Sequence, residues 1–341
     1  MEPPRAVRLH TNENPHGPSP TVAAAIAAEA ARVHRYPDGD AHELVEAIAV
    51  HHGVDTDQIS VGNGVDEVIL LLTMALRAPG VTAVVTDGTF RSYHESLAAL
   101  SDDADLLPLD GYQVPVAAIA DRLRRGSCYA FVCNPHNPAG TTLSRSDVAD
   151  LVAAAEEGGS TVVLDEAYAE YAGPGFATAL PHVQRGGPVC VLRTFAKAYG
   201  LAGLRVGYLV GQPELVARVN ALHRPLPYHV NRMAQAAAIA ALADQDHLWR
   251  TTEETTATRD WFAAELAAAG MPAVASSANF VLVPVPDPAA ARAALQLRGF
   301  LVRDTTGMGL PHHLRVAIGT REEMTALLAA LTGAVSRTVA A

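Results

Sequence analysis

The chain has 341 residues, 49% of them hydrophobic and 18% charged, which is enough for two domains of ordinary size with sizeable cores. A net charge of −11 argues against nucleic acid and anionic membrane as main partners, because both select basic faces. Cys128, Cys133 and Cys190 lie in or beside apolar runs and read as core thiols. No apolar leader and no apolar run of membrane-spanning length is seen, so the expected compartment is the cytoplasm.

Residues 1–20, including LHTNENPHGPSP, read as an extended arm without elements of its own. Helices are predicted over 20–32 and 42–52, on either side of the turn RYPDGD (35–40). From there the chain alternates. Strands are predicted at 59–61, 83–86, 105–109, 129–133, 161–164, 189–192 and 206–210. Helices are predicted at 68–76, 91–100, 116–124 and 144–157. The strands are apolar runs, which predicts a mostly parallel seven-stranded sheet covered by helices on both faces. A helical zone follows over 231–269, its middle TTEETTATRD expected to face solvent. Strands at 278–283 and 314–318, with helices between and after, predict a smaller α/β domain. The expected division is an arm and first helix (1–35) packing with the small domain, a large domain (36–235) and a small one (236–341). The adjacent pairs His51-His52 and His312-His313 do not share a helix face, and no metal site is expected.

In open parallel sheets, ligands bind beyond the carboxyl ends of the strands. Four motifs sit at such ends. GNGVDE (62–67) is a glycine turn opening a helix, whose free amides suit a phosphate. NPHNPAGT (134–141) is a forced turn that offers the Asn137 amide. DEAY (165–168) puts an acid and a phenol after a buried strand. RTFAKAYGLAGLRVGY (193–208) supplies Thr194, Lys197 and Arg205 among small residues that let a ligand approach the backbone. Each alone has a plain structural reading: a turn, a solvated acid, a surface lysine or a surface ion pair. Together they contain an amine nucleophile, an acid, two donors and a phosphate cradle. That is the set pyridoxal 5'-phosphate needs.

With these motifs in order, the sequence resembles the fold type I pyridoxal-phosphate aminotransferases, and among them the histidinol-phosphate and aromatic aminotransferases. The resemblance also rests on TNENPHGPSP, RYPDGD, SSANF and LRVAIGTREE, and so spans nearly the whole chain. It implies that Lys197 forms the internal aldimine and shuttles the proton between the substrate Cα and the cofactor's C4', and that Asp165 pairs with the ring nitrogen. It implies that Tyr168 and Asn137 bind the ring oxygen and that Phe90 stacks on the ring. Gly64, Val65, Thr194 and Arg205 would hold the phosphate, joined by Tyr36 from the second subunit of a homodimer. Arg315, assisted by Arg303, would bind the substrate's carboxylate or phosphate, and Asn14 would help cover it. The implied reaction is transfer of an amino group from histidinol phosphate or an aromatic amino acid to a 2-oxo acid, 2-oxoglutarate by expectation.

Three departures from the family pattern stand out: Ala196 in place of a phosphate-binding serine, Gly88 in place of a proline, and Phe90 in place of a tyrosine. Two further readings share the cofactor residues: a decarboxylase of threonine phosphate, and an aminotransferase of specialised metabolism. A third, a cofactor-bound regulator, calls for a basic DNA-binding segment ahead of this domain, where the chain has only the arm.

Overall fold

The computed structural model describes residues 6–339, with side chains described as far as residue 333. Strands and helices are numbered in chain order. A four-stranded sheet takes β1 (Val7–Leu9) from the arm and β9 (Phe280–Pro284), β10 (Phe300–Asp304) and β11 (His313–Ala317) from the far end of the chain. Its order is β1-β10-β11-β9. A seven-stranded sheet takes β2 (Ile59–Gly62), β3 (Thr82–Thr86), β4 (Ala104–Leu107), β5 (Cys128–Cys133), β6 (Thr161–Asp165), β7 (Val189–Thr194) and β8 (Gly207–Val210). Its order is β2-β8-β7-β6-β5-β3-β4. The helices are α1 (Pro20–Ala30), α2 (His42–His52), α3 (Val65–Leu76), α4 (Arg91–Ala99), α5 (Val116–Arg125) and α6 (Arg145–Gly158). They continue with α7 (Leu180–Gln184), α8 (Pro213–His223), α9 (Arg232–Ala243), α10 (Gln245–Ala268), α11 (Pro288–Gln296) and α12 (Arg321–Val339).

The large sheet is mostly parallel, as its apolar strands predict. β8 alone runs antiparallel to both its neighbours, β7 and β2. The reason lies in the connection. The other strands return through α-helices, whereas β7 reaches β8 through the loop 195–206, which holds no α-helix to carry the chain back across a sheet face, and β8 turns back antiparallel. That loop carries Lys197. Alternate residues of each strand feed two separate cores, as the two-residue repeat of a strand requires. On β5, Ala130 and Val132 pack with α2, α5 and α6 on one face, while Phe131 and Cys133 pack with α3, α4 and α8 on the other.

Five expectations are corrected. The arm does contain an element: β1 pairs in parallel with β10, Val7 opposite Phe300, and β10 had no clear signal of its own. The arm is also divided between the two sheets, since Val22 of α1 packs with Ala234 and Ala237 of α9 in the large sheet's core. Helix α8 was not foreseen. The helical zone breaks at Asp244, whose side chain caps α10 by accepting from the His247 amide at 3.2 Å. The TTEETTATRD segment does not face solvent on all sides. Thr251, Thr252, Thr255, Thr258 and Arg259 are buried, and Glu253 and Glu254 are exposed. The threonines satisfy their hydroxyls inside the helix, Thr255 donating to the Thr251 carbonyl at 2.7 Å. A polar composition therefore hides an inward face. Among the described residues, no helix is long and apolar enough to cross a membrane.

Candidate active site

Lys197 sits in the β7–β8 loop at the carboxyl edge of the large sheet, and the arm crosses directly over it. Gly200 has φ +72°, and a Cβ there would lie 2.8 Å from the Gly17 backbone, so glycine is what allows the close crossing. Lys197 Nζ donates to the Thr11 carbonyl at 3.1 Å, and Asn14 Nδ2 donates to the Ala198 carbonyl at 2.8 Å. Burial pulls the Lys197 amine down to about 8. Arg315 and Arg205 add to the pull, and Asp66 and Glu13 oppose it. An amine in that range is available as a neutral nucleophile near physiological pH.

Asp165 ends β6 and is 2% exposed. Tyr93 of α4 donates its phenol to Asp165 Oδ2 at 2.5 Å, and the Ala167 amide donates to Oδ1 at 3.1 Å. Burial pushes the carboxyl up to about 6, against those two donors and with the help of Asp66 and Glu166. Tyr168 turns its hydroxyl toward two amides, Asn12 Nδ2 at 3.0 Å and Asn137 Nδ2 at 3.4 Å. Asn137 in turn accepts at Oδ1 from Arg315 Nη1 at 2.5 Å.

The third corner is the start of α3. Gly64 caps it with φ +82°, and a Cβ there would fall 2.5 Å from Arg205 Nη2, so only glycine lets the guanidinium reach the helix start. Arg205, itself at φ +57°, pairs with Asp66 Oδ2 at 2.7 Å. Thr194 closes this corner from the end of β7, its Oγ1 accepting from the Ala196 amide at 3.0 Å. Val65, Phe90, Asp165, Tyr168, Thr194, Lys197 and Arg205 line one cavity together. Gly88 has φ +77° and stands where a Cβ would lie 2.9 Å from the Met308 carbonyl; proline, fixed at negative φ, does not fit there.

A second cavity adjoins the first and shares Phe90, Asn137, Tyr168 and Lys197 with it. Arg303 and Arg315 line it, held opposite one another by the register of β10 and β11. Arg315 is 5% exposed and donates to the His10 carbonyl at 2.9 Å; burial brings its pKa down to about 10, so it stays charged. Three expected residues line neither cavity: Gly64, which caps α3 beside the first, Tyr36 and Asn14. Tyr36 is 77% exposed and stacks on Tyr228 with ring centres 4.5 Å apart. The Asn14 side chain ties the arm to the lysine loop. Sequence reasoning missed Tyr93, Asn12 and Thr11. For Tyr93 one signal was present: it lies three residues, one helical turn, after Phe90.

The donors present fit pyridoxal phosphate. An amine, a buried carboxylate, a phenol with an amide, and a glycine-opened helix start beside an arginine surround one space. A mostly parallel α/β fold with that set at its carboxyl edge defines a fold type I pyridoxal-phosphate-dependent transferase. Comparison gives the family: the aminotransferase class I and II profile matches residues 4–331. The chain is 40% identical over 332 residues to the histidinol-phosphate aminotransferase of Symbiobacterium thermophilum, covering 96% of this chain and 90% of that one. Among solved structures, it superposes with a TM-score of 0.89 on the histidinol-phosphate aminotransferase of Sinorhizobium meliloti in complex with pyridoxal-5'-phosphate. That match is 28% identical and covers 98% of this chain and 92% of the other. It also superposes on the L-threonine-O-3-phosphate decarboxylase of Porphyromonas gingivalis with a TM-score of 0.82 at 22% identity, covering 95% and 98%; that likeness concerns the fold alone. The chain belongs to the class I and II aminotransferases and is a pyridoxal-phosphate-dependent aminotransferase.

Proposed function

We propose that this enzyme takes its amino group from histidinol phosphate, with an aromatic amino acid as the alternative donor, and gives it to 2-oxoglutarate. The observation that carries the reading is the pair Arg303 and Arg315, opposite one another in β10 and β11 and lining a cavity that Lys197 also lines. Two guanidiniums suit a doubly charged phosphate, and the same forked donors take a carboxylate in the second half-reaction. The name carried by the Symbiobacterium relative supports the same donor.

The bound cofactor supplies an aldehyde that accepts the amino group and a cationic ring that spreads the charge left at the substrate Cα. Lys197 Nζ anchors the cofactor at rest. Freed by the incoming substrate amine, Nζ would take the proton from the substrate Cα and deliver it to the cofactor carbon that has received the amino group. Asp165, as the anion, keeps the ring nitrogen protonated. Tyr168 and Asn137 hold the ring oxygen, and Phe90 bears on the ring face. Thr194, Arg205 and the amides of Gly64 and Val65 hold the phosphate. Asn14 keeps the arm closed over the lysine and so excludes water from above. Tyr36, exposed together with Tyr228, serves the phosphate of the second subunit in a homodimer with shared sites.

The test is a panel of amino donors, histidinol phosphate, phenylalanine and tyrosine, read as glutamate formed from 2-oxoglutarate. Fastest turnover with histidinol phosphate is expected. Faster turnover with phenylalanine or tyrosine overturns the donor assignment. Carbon dioxide released from threonine phosphate without glutamate assigns a decarboxylase instead.

A further inference from the structure

We propose that Tyr93 is a positioning residue for the cofactor: its phenol holds Asp165 as the anion, in the one orientation that meets the ring nitrogen. The inference rests on the assignment of Asp165 to that nitrogen.

Tyr93 is fully buried, and its hydroxyl donates to Asp165 Oδ2 at 2.5 Å, within the range of charge-assisted O–H···O bonds. The Ala167 amide serves Oδ1. Each carboxylate oxygen thus has one protein donor and keeps lone-pair capacity for the ring N–H. The tyrosine ring cannot swing away. It stacks on Phe131 at 4.8 Å with an interplanar angle of 7°, and meets Phe90 edge-on at 5.6 Å. Phe90 lines the cofactor cavity, so one short stretch of α4 and its cap both bears on the ring face and fixes the acid behind it.

The other groups facing Asp165 do not do this. Asp66 from the start of α3 and Glu166 beside it on the chain are acids that favour the protonated form. Cys133 at the end of β5 and Tyr168 are held neutral by burial. Lys197 and Arg205 line the same cavity and donate to the Thr11 carbonyl and to Asp66, respectively. Tyr93 is therefore the side-chain donor that offsets burial at Asp165. Its own phenol is driven upward by burial first and by Asp165 second, so it remains a donor and never takes the proton. Without it, Asp165 keeps its proton to higher pH, and capturing the cationic ring has to expel that proton first.

The test uses the full chain stripped of cofactor and refilled with pyridoxal phosphate, with Kd read from the absorbance of the bound form. Y93F preserves both ring contacts and removes only the donor. Its Kd should exceed that of the parent by on the order of tenfold near pH 6 and approach it near pH 9, where Asp165 is ionised in both. Titration of Lys197 is common to both proteins and cancels in the ratio. A ratio that is unity throughout, or a loss that does not vary with pH, overturns the proposal, since packing alone gives the latter. D165N separates the premise from the inference. If D165N binds pyridoxal phosphate as tightly as the parent, the Asp165 assignment fails. If D165N binds weakly and the Y93F ratio is flat, only the role of Tyr93 fails. In the D165N background, Y93F should lose its pH-dependent effect.

Discussion

At the cofactor pole, Asp165, Tyr168, Thr194 and Lys197 each stand within three residues of the end of β6 or β7. At the substrate pole, Thr11 and Asn12 come from the arm, and Arg303 and Arg315 from the small sheet, with Asn137, from the loop after β5, between the two poles. The first pole is fixed by neighbouring strands of one hydrogen-bonded sheet. The second is fixed by contacts between segments far apart in sequence, such as Arg315 with Asn137 at 2.5 Å and with the His10 carbonyl at 2.9 Å. Under the proposed roles, chemistry falls to residues that follow the ends of hydrogen-bonded strands. Under the same proposal, selectivity falls to residues brought together by contacts between distant segments.

The largest effect that would break this contrast belongs to Lys197. K197A should lower amino transfer by a factor on the order of 10³ or more and abolish the absorbance of covalently held cofactor. Measurable turnover near the parent rate would remove Lys197 from the chemistry. Next, R315A should act chiefly on the substrate pole, although Arg315 also holds Asn137 and lowers the Lys197 amine. We expect kcat/KM for histidinol phosphate to fall on the order of 10²-fold while cofactor Kd changes far less; a matching loss of cofactor affinity would mean that the poles are not separable.

A third test concerns what holds the cofactor pole rigid. Arg193, just before Thr194, makes paired contacts to fully buried Glu166 at 2.6 and 3.1 Å, and reaches Glu170 at 3.1 Å. This ties the end of β6 to the end of β7. R193M strands Glu166 and should cost about 3 kcal/mol in denaturant unfolding of the cofactor-free chain.

The pH dependence sharpens the comparison further. Lys197 is depressed from 10.5 to about 8, so it is protonated below that value and neutral above it. The rate of cofactor capture should rise with pH and level off above about 8, rather than continuing toward 10.5. The unfolded chain binds this proton more readily between those values, so the folded cofactor-free chain gains stability as pH rises through the same window. The smallest expected effect is at Tyr36, where Y36F should weaken cofactor binding by roughly fivefold, the worth of one hydrogen bond. An unchanged Kd would place Tyr36 outside the second subunit's site.

Much of the cofactor pole was legible because short motifs end buried strands. A strand end fixes the direction of the next few side chains, so DEAY and TFAKAYGLAGLR could be read almost without the rest of the chain. The apolar runs of β5, β6 and β7 likewise announced a parallel sheet. Legibility failed where a residue's role came from a distant neighbour. β1 and β10 are a strand pair that exists only because the two ends of the chain meet, and the buried threonines of α10 carry no apolar signal. Tyr93 lay inside a correctly predicted helix, yet nothing local says that its hydroxyl meets an acid 72 positions onward.

By itself, then, the order of residues determined the sheet, the lysine, the acid and the glycine that opens the phosphate corner. These depend on local backbone geometry and on apolar runs long enough to be buried. Tertiary packing alone decided the reversal of β8, the crossing of the arm over Lys197, the facing of Arg303 and Arg315, and the bond from Tyr93 to Asp165. Each of these is a distance between groups far apart along the chain. Such distances are set by how the two sheets and the arm close on one another, and local sequence does not encode them.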